Sequence, residues 1–199
     1  MSTKTKVNTK EISQEVHHPV TNEVLGNIVS RVYEGENVQR HSFLSSEGKE
    51  FSLGPTTEAF NFVDWPNVFK PVLDEGYQIE KLSVSRGGLR MHAVLSNPSG
   101  PTYKDPINWD QATWGKSKGL KDSVVIHGGL RPGSGFHFQR GLFRLICTNG
   151  LTIETLGLGK GDFNHINYEP DAAASALFGQ SVVIGSDIIG QQIGTVKAL

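Results

Sequence analysis

Cysteine is almost absent. Cys147 is the only one in 199 residues. No disulfide can close within the chain, and this usage suits a reducing compartment. There is no Cys-x-x-Cys pair. His127, His137 and His165 are, with Cys147, the plausible soft metal ligands, but their spacing matches no zinc pattern. No metal or cofactor is therefore expected. Long apolar runs are missing too. Nothing approaches the roughly 20 residues of a membrane-spanning helix. The first ten residues are polar and lysine-bearing, without the apolar stretch of a secretory signal. The expectation is a cytoplasmic protein with no membrane partner.

The usual catalytic signatures are also lacking. Gly133-Ser134-Gly135 does not continue into the Gly-Lys-Ser/Thr ending of a phosphate-binding loop, and it lacks the glycine spacing of a dinucleotide fold. Cys147 sits among Leu145, Ile146 and Thr148. It reads as a strand residue rather than a nucleophile. Carboxylates are numerous, but none pair in a recognisable acid/base arrangement. Asp162 and His165, beside Gly159-Lys160-Gly161, read as a polar loop. An enzyme is not the expectation, although an unfamiliar site near Gly133–Arg140 stays open.

Glycine and local charge are abundant. The 23 glycines exceed the ordinary share and point to turns, bulges and close backbone approaches. Net charge is only −1, but it is unevenly spread. Between Lys81 and Arg144 ten basic residues face three acids, while the remainder has nine basic and seventeen acidic residues. Such a segment suggests a polyanion-binding face.

Hydrophobic patterning predicts an α+β protein: an antiparallel sheet with hairpins, a few packed helices and glycine-rich loops. Residues 1–11 read as a flexible tail, and 12–199 as one domain. Helical spacing of Val24, Leu25, Ile28, Val29 and Val32 predicts a short helix over Thr21–Gly35. Short strands and turns follow over 36–62. Asp64-Trp65-Pro66 predicts a helix start, with Asp64 as N-cap and Gly76 near the end. Tyr77–Ser85 alternates, turns at Arg86-Gly87-Gly88, and resumes at Leu89, so 77–96 reads as a hairpin. A long loop over 97–119 carries Trp109 and Trp114. Strands are expected at 124–127, around 143–147 and from Leu151 to Thr155 after the Asn149-Gly150 turn. A helix over Asp171–Phe178 follows, then an apolar segment, Val182–Ile193, that fits strand or helix.

Two stretches combine charge with aromatics. Gly133–Gly141 holds Phe136, His137, Phe138 and Arg140, with Arg131 just before it. Trp114–Lys121 holds Lys116, Lys118 and Lys121. Cations that follow a phosphate backbone and rings that stack on bases are the recipe for single-stranded nucleic acid. The expected contacts are Arg86, Arg90, Lys116, Lys118, Lys121, Arg131, Arg140 and Arg144 for phosphate, and Trp114 and Phe136 for stacking. The plainer reading makes the phenylalanines core and the lysines a solvated loop.

Leu142-Phe143-Arg144-Leu145-Ile146-Cys147-Thr148-Asn149 resembles an element of the phage and plasmid family called domain of unknown function 932. Gly133-Ser134-Gly135 and the Tyr77–Leu95 hairpin fit the same pattern, over roughly residues 60–155. Where that family often has a Ser-His-Asp-Gly-like element, this chain has His127-Gly128-Gly129-Leu130. The resemblance implies a bacteriophage-type setting and a role in DNA metabolism. The topology is also compatible with phage single-strand annealing proteins, by analogy of fold. The expectation is single-stranded DNA binding or annealing by a homo-oligomer. The alternative is a structural or host-interaction phage protein that self-assembles without nucleic acid.

Overall fold

The computed structural model describes residues 9–33, 38–57, 60–103, 120–145 and 152–179. They form two antiparallel sheets and two helices. The first sheet is a meander of β1 (Thr9–His17), β2 (Val24–Tyr33), β3 (Gln39–Ser45) and β4 (Glu50–Thr56). Helix α1 (Trp65–Leu73) leads into β5 (Gln78–Ser85), a 3-10 turn (Arg86–Gly88) and β6 (Arg90–Ser96). Then come β7 (Thr102–Tyr103), β8 (Leu120–Gly129), β9 (Gly135–Leu145), β10 (Thr152–Asn164) and helix α2 (Pro170–Phe178). The second sheet runs β10-β9-β8-β6-β5, and β7 pairs with β8 beyond the end of β6.

Two expectations change here. The helix expected over Thr21–Gly35 is strand β2, paired on both sides. Its apolar residues fit helical spacing, but Val24, Ile28, Val29 and Val32 are β-branched and suit a pleated surface. Gly26 sits beneath the Phe43 ring, where a Cβ would lie 2.6 Å from the ring edge. Thr9–Glu11, placed in the tail by composition, belong to β1. Cys147, the Asn149-Gly150 turn and Val182–Ile193 lie outside the described residues.

One core joins the sheets. It contains Val16, Ile28 and Phe43 from the first, Met91, Ile126 and Phe138 from the second, and Trp65, Phe69 and Val72 from α1. Asp64 caps α1 as the sequence indicates, accepting from the Trp65 N–H at 2.8 Å. The same carboxylate accepts from the His17 backbone N–H and pairs with the His17 ring at 2.7 Å, tying the end of β1 to the helix start. Pro71 lies inside α1 and cannot donate to the Asn67 carbonyl. The Tyr168 hydroxyl donates to that carbonyl instead, at 2.8 Å, so the acceptor freed by the proline is satisfied.

Many glycines lie in strands rather than loops. At Gly159 a Cβ would sit 2.7 Å from the Leu177 carbonyl and 2.9 Å from the Ala176 carbonyl. The missing side chain lets α2 seat directly on β10. Gly159-Lys160-Gly161, read as part of a polar loop, is strand backbone built for helix contact. Gly159→Ala is expected to cost about 1–3 kcal/mol, because the obstacle is backbone and cannot rotate away. Urea unfolding checks this. A loss under about 0.3 kcal/mol would mean that α2 does not pack this closely.

Candidate nucleic-acid interface

Alternation along each strand sorts the second sheet into two faces. Phe136, Phe138 and Leu142 on β9, and Val124 and Ile126 on β8, point into buried clusters. The residues between them form the outer face. Cross-strand register aligns five of these in one row: Ser83, His92, His127, His137 and Asp162, one from each of β5, β6, β8, β9 and β10.

The row is in contact. The His127 and His137 rings stack, with centroids 4.6 Å apart and planes 24° apart. His92 lies 6.5 Å from His127. His137 Nδ1 bonds to Asp162 Oδ1 at 2.6 Å, and Lys160 Nζ stands 3.5 Å from Asp162 Oδ2. The hydrogen bond to His137 is the main cause that holds the Asp162 carboxyl below its ordinary range; Lys160 adds to it. His127 is pushed the other way from an easily protonated ring. Partial burial lowers its pKa first, and the neighbouring His137 and His92 lower it further. His127, His137, Asp162 and Arg90 are all exposed. Among the described residues no group of three ligating side chains is placed to hold a metal ion.

The expected basic residues divide. Arg86, in the 3-10 turn, Arg90, opening β6, and Arg131, in the β8–β9 loop, collect at one end of the sheet. Arg131 is half-buried, with its Nε turned away from solvent. Arg90 lies on the outer face two residues before His92. Lys121 also points outward, but six residues down β8 from His127, about 20 Å away. It pairs with Glu80 at 3.3 Å, in a contact exposed on both sides. Such a pair is worth under ~1 kcal/mol and exchanges readily. Arg144 is the penultimate residue of β9. Lys116, Lys118 and Trp114 lie outside the described residues.

Two expected contacts do not belong to this surface. Phe136 is fully buried, 5.9 Å from the Trp65 ring and 4.7 Å from the His165 ring. It cannot present a face to a base. Arg140 lies on the inner face, where it is bonded to Asp122 and Tyr77. The reason is parity: both alternate in phase with Phe138 and Leu142, which are core.

Sequence reasoning passed over His92, Lys160 and Asp162 as partners of one surface. Part of the signal was available. His127 and His137 are equally distant from Pro132, so a hairpin centred there pairs them. His92 could not be added without knowing that β6 lies beside β8.

The chain matches no family model, no curated protein and no solved structure. Among the described residues no helix is long and apolar enough to cross a membrane.

Proposed function

We propose that the outer face of the second sheet binds single-stranded nucleic acid. The observation that carries this reading is the exposed, stacked pair His127–His137, with half-buried His92 beside it, Arg90 at one flank and Lys160 at the other. Imidazole rings accept bases by stacking, as other aromatics do. They take the part that Phe136 was expected to play. Arg86, Arg90, Arg131 and Lys160 supply phosphate contacts, and Lys121 joins them by exchanging Glu80 for a phosphate. The resemblance over residues 60–155 supports a phage-type setting, with binding or annealing of single-stranded DNA in recombination or replication. Annealing requires several subunits to hold one strand extended, so the active form would be a homo-oligomer.

Fluorescence anisotropy with a labelled oligonucleotide tests the reading. Five phosphate contacts predict a log K against log salt slope of about −3.5 on a single strand, with weaker binding to duplex. Arg90→Ala combined with Lys160→Ala should weaken binding by about tenfold or more and flatten that slope by about 1.4 units. No binding at about 50 mM salt would overturn the proposal. Self-association without nucleic acid would then make a structural phage protein the better account.

A further inference from the structure

The row His92–His127–His137–Asp162 does more than offer rings. Three imidazoles stand in line across three neighbouring strands, and one carboxylate closes the line. Asp162 can balance a single positive charge, and it is already bonded to His137 and close to Lys160. Among the described residues, Arg90 lies on the row to one side and Lys160 on the row to the other, and both are cationic. Within the row, His127 lies between His92 and His137. Protonating all three rings therefore crowds like charges against one another, with too little negative charge from the protein to balance them.

A phosphodiester backbone would supply that missing negative charge. We propose that the histidine row is a proton-linked switch: strand binding draws protons onto His127 and its neighbours, so affinity rises as pH falls towards 6. This deepens the nucleic-acid reading of the same face and rests on it. Burial and its histidine neighbours keep His127 from taking up a proton readily, and its ring stacks on His137. Protons drawn onto the row by a bound strand add positive charge in line with Arg90 and Lys160. Each proton taken up on binding adds one unit to the slope of log K against falling pH.

His17, His18, His41 and His165 lie away from this row. The first is bonded to Asp64, His41 is buried between Ser30 and Thr56, and His165 is buried between Val63 and Gly129. None shares the outer face, so their titration does not imitate the effect.

Oligothymidylate serves as the probe, since thymine does not titrate in this range. Its affinity for the full chain is measured at constant ionic strength from about pH 7.5 to about pH 6. The expected rise is about tenfold. In the His127→Gln/His137→Gln variant the ratio between the two pH values should shrink to about twofold or less, whatever its affinity at the upper pH. In parallel, the free protein's imidazole resonances are titrated by NMR. His127 and His137 should titrate as a broadened, coupled pair. Binding that is present but flat with pH overturns the switch and leaves the nucleic-acid reading standing. So does a double variant that keeps the full rise, or a pair of histidines that titrate independently. Absence of binding at every pH overturns the nucleic-acid reading and the switch with it.

Discussion

Arg140→Ala is expected to destabilise the fold by about 3–5 kcal/mol. The guanidinium is held from several sides. Its Nη2 donates to Asp122 Oδ2 at 2.7 Å and its Nε to Asp122 Oδ1 at 3.1 Å. Nε also lies 3.1 Å from the Tyr77 hydroxyl, and Nη1 donates to the Leu177 carbonyl at 3.3 Å. The Phe178 ring covers it at 4.9 Å. The two side chains are only 18% and 12% exposed, so this is not a surface pair of negligible worth. Removing the arginine strands a carboxylate in a low-dielectric site. It also removes one of the partners of Tyr77, whose hydroxyl is held in its protonated form by burial and by the Asp122 charge. Replacing both partners, as Arg140→Met with Asp122→Leu, should recover most of the loss, since no unpaired charge then remains. Urea unfolding of the two single variants and the double decides it. A single-variant loss below about 1 kcal/mol would show that the pair is effectively solvated. Weaker nucleic-acid binding by Arg140→Ala would report on the fold, not on a contact.

Acidification is expected to remove about 3 kcal/mol of stability between neutral pH and about pH 4. The group responsible is His165. It is buried among Phe60, Phe62 and Phe136. Its Nδ1 accepts from the Val63 N–H at 3.0 Å, and its Nε2 donates to the Gly129 carbonyl at 3.1 Å. That arrangement needs a neutral ring. Burial pushes its pKa down from 6.5 to about 4. Between those values the unfolded chain binds the extra proton and the folded chain does not. The stability is therefore complete above about 6.5 and drains away as pH falls towards 4. His41, lowered by burial, acts in the same direction. His17 acts oppositely: its hydrogen bond to Asp64 raises its pKa, so its contribution is present in acid and is lost as pH rises. The net expectation is a loss in acid, softened by His17. Urea midpoints from about pH 7 to about pH 4 should fall for the natural chain. They should fall less steeply for His165→Gln, which starts from a lower value. A natural chain with flat stability across that range, or a variant with the full acid slope, would remove His165 as the cause.

Local chemistry made some elements legible. Asp64-Trp65-Pro66 announces α1 because an N-cap carboxylate and an early proline are both suited to a first turn. Arg86-Gly87-Gly88 announces the β5–β6 hairpin because both glycines adopt positive φ. β2 misled because Val24, Ile28 and Val32 satisfy spacings of four and of two at once. The surface was harder to read. Whether Arg140 faces solvent or core depends on its phase with Phe138 and Leu142, which the sequence shows only once β9 is known to be straight through that region. Whether His92 meets His127 depends on the β6–β8 pairing, which skips the whole of residues 97–119. Composition correctly marked a basic segment, but it cannot apportion that charge between two faces of one sheet.

The inward placement of Arg140 has a consequence for how the strands choose partners. Sliding β9 along β8 by one residue exchanges the two faces, and hydrophobic patterning alone forbids it. Sliding by two restores the faces, so patterning is nearly blind to that error. The guanidinium is not blind. A two-residue slip carries it about 7 Å along the sheet. Its acceptors belong to β8, to the residue before β5 and to the end of α2, and they converge on one place only. A charge at that position distinguishes the correct alignment from its nearest plausible impostors, a task that another leucine could not perform.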